Sequence, residues 1–406
     1  MRRERNAPLN ILSYSSVNTS HTESRAPRIL FACGGTGGHV YPAIAIADAV
    51  RALVPEAAIA FVGTRDRMEW EAVPKAGFPI HPISGAGFQR GLNWDAMRRN
   101  VSLPVKLAGA LRDSLGIIKS FQPDVVVATG GYVTGPVGAA AAMKRRPLIL
   151  QEQNAYAGAT NKLLARFAQR IFVAFAAAQP YFPEGRTEVS GNPVRADLST
   201  ADPAAAREFW QVTDGARVLL VMGGSLGAGP VNDAIEADIQ RLLNDQSTFV
   251  IWQTGPRYFD AIADRLPEHA RLKLMPYLEH MHHAYAAADL VVCRAGAITC
   301  SELAVTGTPA ILIPSPNVTA DHQTKNARAL ADLGAAALIP EHSIKADLFP
   351  TISELMGDEG KLQEMSRRAL ESAKPKAAED IARVAIEMAS TRIAESTADA
   401  IPGGTR

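Results

Sequence analysis

The residues best suited to chemistry gather at a few glycine-rich turns. Gly34-Gly35-Thr36-Gly37-Gly38-His39 follows the apolar run Arg28–Cys33, and Gly223-Gly224-Ser225-Leu226-Gly227-Ala228 follows Val218–Met222. An apolar strand that ends in glycines and leads into a helix leaves backbone N–H groups without partners at the helix start. The helix dipole adds partial positive charge there, so the unit suits phosphate. Ser225 adds a hydroxyl donor to the second turn. His39 falls at the helix start after the first turn. The dipole there favours a neutral imidazole, the form a general base needs; the plain alternative is a histidine that only orients the loop. The first turn departs from the dinucleotide fingerprint, because its glycines form two pairs around Thr36 and the nearest acidic candidate, Glu56, follows Pro55 in a loop. The second is not a P-loop, since no Gly-Lys-Ser/Thr follows. Dehydrogenase, kinase and ATPase readings are poorly supported.

Further polar groups sit at the ends of other apolar runs. Arg294-Ala295-Gly296-Ala297-Ile298-Thr299-Cys300-Ser301-Glu302 places a helix start after a strand. Its amides suit a second phosphate, and the Glu302 carboxyl suits two ribose hydroxyls; alternatively Glu302 only complements the helix N-terminus. Gln151-Glu152-Gln153-Asn154 follows Pro147–Leu150, and four such side chains together suit a sugar or an acetamido group. Asp321-His322-Gln323-Thr324-Lys325-Asn326 looks similar and precedes an expected helix, Ala327–Leu333. Arg195 stands beside a Gly/Pro-rich stretch, where a guanidinium could reach a diphosphate with two hydrogen bonds; a surface arginine is the alternative. His282 and His283 read as structural. No H-x-x-x-H, C-x-x-C or carboxylate cluster points to a metal, and no cofactor is implied. The three cysteines Cys33, Cys293 and Cys300 read as buried small hydrophobes.

The elements that must position these groups alternate along the chain. Ile29–Ala32, Ala58–Val62, Asp124–Ala128, Leu148–Leu150 and Ile171–Ala174 read as buried parallel strands, with helix-like stretches such as Pro42–Leu53 and Asn161–Ala168 between them. Val218–Met222, Phe249–Gln253, Leu272–Met275, Leu290–Cys293 and Ala310–Ile313 repeat the scheme. The block Asp124–Gly131 echoes Asp289–Gly296: each reads strand, glycine, helix, strand. The expected fold is therefore α/β, with two Rossmann-like doubly wound domains facing a cleft. Ligands in such sheets sit beyond the carboxyl ends of the strands, so both glycine turns would share that cleft.

A length of 406 residues, with 47% apolar and 20% charged, fits two soluble domains. A net charge of +1 gives no general attraction to nucleic acid. The expected division is a loose leader over 1–26, a first domain over 27–190, a hinge over 191–203, a second domain over 204–389 and a disordered tail over 390–406. The leader lacks the apolar segment of a secretory signal. The uncharged stretch Val125–Met143 is broken by glycines and a proline and does not read as a membrane span. Phe88, Leu92 and Trp94 lie among Arg90, Arg98 and Arg99, with Lys106 and Lys144-Arg145-Arg146 in the same half. Apolar anchors with basic neighbours fit an anionic bilayer surface, or else a solvated helical hairpin.

Seven motifs in order, namely Gly34–His39, Gly130–Pro136, Glu152–Asn154, Gly191–Arg195, Gly223–Ala228, Arg294–Glu302 and His322–Ala327, resemble the MurG family of bacterial peptidoglycan glycosyltransferases, over roughly Arg28 to Ala389. The resemblance implies the GT-B fold and an inverting transfer of N-acetylglucosamine. The donor is UDP-N-acetylglucosamine, and the acceptor is the C4 hydroxyl of the muramoyl sugar of lipid I, giving lipid II. It implies a peripheral enzyme on the cytoplasmic face of the bacterial inner membrane, with cell-wall synthesis proteins as possible partners. It places Thr36, Gly37 and Gly38 near the donor sugar and the acceptor diphosphate, Asn154 and Gln323 on the donor sugar, Arg195 and Ser225 on the donor phosphates, and Glu302 on the ribose. Leu278 falls where the family's main chain meets the uracil, in place of an isoleucine, and Ala297, Ile298, Thr299, Cys300 and Ser301 form the helix start under the diphosphate. The rival readings are a sugar-nucleotide epimerase, a glycosyltransferase with another acceptor, and a nucleotide-binding membrane scaffold without turnover.

Overall fold

A computed structural model describes residues 25–84, 103–318 and 321–400. Phe88, Leu92 and Trp94 lie outside these residues. The first sheet holds β1 (Arg28–Cys33), β2 (Ala58–Gly63), β3 (Ile80–Pro82), β4 (Val125–Gly130), β5 (Leu148–Glu152), β6 (Arg170–Val173) and β7 (Thr187–Val189), in the order β3-β2-β1-β4-β5-β6-β7. The second holds β8 (Arg217–Met222), β9 (Thr248–Gln253), β10 (Leu272–Met275), β11 (Leu290–Cys293), β12 (Ala310–Leu312) and β13 (Ala336–Leu338), in the order β10-β9-β8-β11-β12-β13. All pairings are parallel. The central strands are continuous apolar runs because helices cover both faces of each sheet. Leu30 and Ala32 face one apolar cluster while Ile29, Phe31 and Cys33 face the other. Leu219 and Val221 are divided in the same way from Val218 and Leu220.

The echo between the halves holds at single residues. The Asp124 carboxyl accepts from the Arg28 amide at 2.9 Å, and that of Asp289 accepts from the Val218 amide at 2.7 Å. Each aspartate thus ties the start of its sheet's fourth strand to the start of its first. In both sheets the chain leaves the first strand to one side and the fourth to the other. The crevice between their carboxyl ends is the switch point at which such sheets bind ligands.

Two expectations fail at the C-terminal end. The chain does not finish in the second domain: the helix Ala377–Ala400 returns to the first sheet, where Ile381, Ala382, Ala385 and Ala389 are fully buried beside the helix Gly37–Leu53. Nor is the chain irregular from 390, since this helix runs to Ala400. The small, polar composition hid an apolar stripe at helical spacing. The two passages between the domains meet at Gly191, whose φ is +82° and where a Cβ would lie 2.3 Å from Cβ of Lys374.

Candidate functional site

The first wall of the cleft is built on β1, β4 and β5. Thr36 is extended and caps the helix Gly37–Leu53 without a side-chain hydrogen bond. Its carbonyl accepts from His39 and Val40, so the first-turn amides of Gly37 and Gly38 face outward from the helix start. Behind the turn lies Glu69, fully buried, which accepts from the Gly35 amide at 3.0 Å and the Thr64 amide at 3.1 Å. Gly131 has φ +82°, and a Cβ there would sit 2.0 Å from the Gly34 carbonyl oxygen. At Gly130 a Cβ would sit 2.5 Å from Nδ1 of His39. The Gly130-Gly131 pair therefore lets the β4 turn close against the β1 turn and leaves room for the imidazole. Nδ1 of His39 lies 2.8 Å from Oε1 of Gln153 and 3.2 Å from the Thr129 carbonyl oxygen.

The second wall is built on β8, β9 and β11. Gly227 has φ +76°, and a Cβ there would lie 1.9 Å from the Thr254 carbonyl oxygen, so the turn Gly223–Ala228 is pressed onto the end of β9. Ser225 stands exposed at its tip, and Gln253 donates to the Gly224 carbonyl oxygen at 2.9 Å. Gly296 caps the helix Ala297–Thr306 in extended geometry with no side-chain bond, which leaves the amides of Ala297, Ile298 and Thr299 as helix-start donors. Cys300 is buried and its thiol is pushed up to about 12 by desolvation, so only its main chain suits a ligand. Arg195, Leu278, Ile298 and Glu302 line one small cavity of about 120 Å³, closed by Tyr41 from the first domain and Tyr277 from the second. Desolvation raises the Glu302 carboxyl to about 7, against the pull of the Tyr285 hydroxyl that donates to it at 3.0 Å and of Arg195. Arg195 itself pairs with Asp197 at 3.5 Å, and His282 approaches the other oxygen of that carboxylate at 3.6 Å.

Polar side chains join the walls. Glu152 accepts from Asn154 Nδ2, the Gly158 amide and Asn161 Nδ2, which fixes the loop after β5. Asn326 crosses the cleft, accepting from the Ala155 amide at 3.0 Å and donating to Oδ1 of Asn154 at 3.4 Å. The helix here is His322–Ala331, so Gln323 and Asn326 stand inside its first turns and not before it as expected. Oε1 of Gln323 accepts from the Ser315 amide at 2.8 Å.

The expected residues thus divide between two facing walls: Thr36, Gly37, Gly38, His39 and Asn154 on one, and Arg195, Leu278, Ile298, Glu302 and Gln323 around the other. Sequence reading missed Glu69, Tyr285, Tyr41 and Tyr277, which carry no local pattern that sets them apart from core or surface residues. From the residues alone it took the Gln151–Asn154 stretch as one polar group; in the structure Gln151, Glu152 and Gln153 are buried and Asn154 is half-buried.

This pair of parallel sheets with a shared switch-point cleft is the two-domain GT-B fold. Residues 29–173 match the glycosyltransferase family 28 N-terminal domain and residues 218–381 its C-terminal domain. The chain is 53% identical over 366 residues to a UDP-N-acetylglucosamine–N-acetylmuramyl-(pentapeptide) pyrophosphoryl-undecaprenol N-acetylglucosamine transferase of Salinibacter ruber, covering 90% of this chain and 98% of that protein. The protein of the same name from Flavobacterium psychrophilum is 39% identical, with 87% and 95% covered. The crystal structure of Acinetobacter baumannii MurG superposes with a TM-score of 0.69 at 30% identity, covering 89% of this chain and 99% of that one. The chain belongs to the MurG family of glycosyltransferases.

Proposed function

We propose that this chain transfers N-acetylglucosamine from UDP-N-acetylglucosamine to the C4 hydroxyl of the muramoyl sugar of lipid I, with inversion at the sugar carbon, to form lipid II. The observation that carries the reading is the 53% identity to the Salinibacter relative over nearly all of that protein's length. The epimerase and scaffold readings gain no such support.

The transfer makes three chemical demands. A base takes the acceptor proton, the developing positive charge at the sugar carbon is tolerated, and the departing UDP is held. His39 is the base: Nδ1 faces two oxygen acceptors, which leaves Nε2 as the proton-accepting nitrogen. Ser225, the helix-start amides of Ala297, Ile298 and Thr299, and Arg195 hold the diphosphate as negative charge grows on it. Cys300 and Ser301 continue that first turn through their main chain. Glu302 takes the ribose hydroxyls, and the Leu278 main chain takes the uracil. Asn154 and Gln323 orient the N-acetylglucosamine, while Thr36, Gly37 and Gly38 meet the donor sugar and the acceptor diphosphate.

The acceptor carries a lipid, and the first domain presents a matching surface. An apolar groove of about 780 Å³ is lined by Leu107, Met143, Leu163 and Phe167, all exposed, with Arg166 at its edge and Lys106, Lys144 and Arg145 nearby in sequence. Among the described residues no helix is long and apolar enough to cross a membrane. Apolar contact with a basic rim supports peripheral binding to an anionic bilayer at its cytoplasmic face. Phe88, Leu92 and Trp94 belong by sequence to the same half and extend this proposal.

Incubation with radiolabelled UDP-N-acetylglucosamine and a lipid I analogue, with UDP release and labelled disaccharide lipid measured, tests the reading. Label in the lipid product supports it. Release of UDP without that product, or no turnover, overturns it.

A further inference from the structure

His39 does not stand alone. Its Nδ1 faces Oε1 of Gln153 at 2.8 Å. Nε2 of Gln153 donates to the Thr129 carbonyl oxygen and to Oε1 of Gln151. Nε2 of Gln151 donates to Oδ1 of Asn192 at 2.9 Å. Nδ2 of Asn192 then reaches the Gln153 carbonyl oxygen at 3.1 Å, the Ala297 carbonyl oxygen at 3.2 Å and Oγ of Ser301 at 2.9 Å. Gln151, Gln153 and Asn192 are all 1% exposed or less. The chain of amides runs from the imidazole on one wall, through the hinge, to the first turn of the helix Ala297–Thr306 on the other.

The direction of this chain is fixed from its far end. Two main-chain carbonyls that can only accept surround one end of the Asn192 amide, so that end is the NH₂ and the other is the oxygen. Gln151 must then point its own NH₂ at Asn192 and its oxygen at Gln153. Gln153 must point its NH₂ at Gln151 and at the Thr129 carbonyl, and its oxygen at His39. Turning any one amide over would set donor against donor or acceptor against acceptor inside the protein. An imidazole nitrogen facing two oxygen acceptors carries the proton, so the lone pair is on Nε2.

We propose that Gln153 is a positioning residue that fixes the Nδ1–H tautomer of His39, with Gln151 and Asn192 locking its orientation to the start of the donor-side helix. The inference rests on His39 as the base for its kinetic consequence, though the tautomer is a property of the resting protein. Without the Gln153 acceptor only the longer contact to the Thr129 carbonyl, at 3.2 Å, holds Nδ1–H, and the imidazole samples more of the Nε2–H form, whose Nε2 has no lone pair for the acceptor hydroxyl.

The first measurement is of the wild-type protein. Nitrogen-15 NMR of histidine-labelled enzyme at pH 8, with the His39 signals assigned through His39→Ala, should show His39 predominantly as the Nδ1–H tautomer. An Nε2–H or evenly mixed pattern overturns the proposal without reference to any variant's folding. The second measurement is kinetic. Gln153→Met keeps the length of the side chain and removes the acceptor; kcat should fall about tenfold or more, within the ~10²–10⁴ that general-base catalysis supplies. KM for UDP-N-acetylglucosamine should stay within about twofold, since Gln153 is assigned no donor contact. Gln153→Glu, protonated on the oxygen that replaces the amide nitrogen because the Thr129 carbonyl and Gln151 Oε1 face it, keeps an acceptor toward Nδ1–H and should recover most of the kcat lost in Gln153→Met. A role confined to packing would lower thermal stability in both variants without this split in kcat, and that result would refute the positioning role. Near-normal turnover in His39→Ala would instead refute the base assignment, while the wild-type tautomer would still decide the Gln153 contact.

Discussion

Glu302 offers a test of where the nucleoside sits. Desolvation holds its carboxyl at about 7, well above the ordinary carboxylate range, and the Tyr285 hydroxyl and Arg195 keep it from rising further. Two ribose hydroxyls donate best to an ionised carboxylate, so donor binding should need the deprotonated form. At pH 6 only about one site in eleven is ionised, while at pH 8 about nine in ten are, so the affinity should drop about tenfold, or ~1.4 kcal/mol, between pH 8 and pH 6. The ligand for this experiment is UDP-N-acetylglucosamine, because its diphosphate is esterified at both ends and does not titrate in the range. Isothermal calorimetry at pH 6, 7 and 8 gives the slope directly, with proton release on binding at pH 6 as a second signature. Glu302→Gln should bind weakly and without slope. Tyr285→Phe removes a donor that favours the carboxylate and should shift the break to higher pH. His39→Ala should keep the wild-type slope. A wild-type affinity that is level from pH 6 to 8, or a slope that survives Glu302→Gln, would refute the placement of the ribose at Glu302.

Other outcomes follow from the same geometry. His39→Ala should lower kcat by ~10²–10⁴ while leaving calorimetric binding of UDP-N-acetylglucosamine unchanged, as expected of a base on the acceptor side. Gly131→Ala must place a methyl group 2.0 Å from the Gly34 carbonyl oxygen at a φ of +82°. Backbone strain alone costs about 1–3 kcal/mol, at about 2–4 °C per kcal/mol, so the unfolding midpoint should fall by several degrees and turnover should drop. Leu163→Asp with Phe167→Glu should weaken binding to anionic vesicles in a sedimentation assay and spare turnover on a soluble short-chain acceptor. Each lost side chain removes ~1.5–3 kcal/mol of apolar burial if it enters the bilayer. Equal loss in both assays would place the groove in the catalytic machinery instead.

The long strands were legible because they are buried on both faces, which writes them as unbroken apolar runs. The three strands that sequence reading passed over, Ile80–Pro82, Thr187–Val189 and Ala336–Leu338, are three residues long and close the edges of their sheets. His81 and Glu188 interrupt the first two, and the alanines of the third read as well in a helix as in a strand. The helix Ala377–Ala400 was hidden for a different reason: alanine packs closely against the helix Gly37–Leu53 without the bulk that marks a core residue in sequence. At the site, glycine pairs and helix starts were legible because the backbone itself makes the feature. The turning of the Gln153 side chain inward was not, because it is set by Thr129 and His39, which lie 24 and 114 positions away in the chain.

The unequal roles proposed for two similar turns have a physical basis. Both follow the first strand of a sheet and lead into a helix, and both rest on an aspartate that ties the first strand to the fourth. Behind the first turn the Glu69 carboxyl occupies the Gly35 amide. Behind the second, the neutral amide of Gln253 donates to the Gly224 carbonyl, which also accepts from the Gly227 amide, and so takes up no N–H of the turn. A carboxyl placed behind an anion cradle both consumes a donor and opposes the anion, whereas an amide bonded to a carbonyl does neither. The first turn is thereby left with its helix-start amides and an imidazole, a combination better suited to taking a proton than to gripping a leaving group. On the proposed reading, two similar scaffolds divide the reaction in this way: one side activates the acceptor, and the other holds the departing diphosphate.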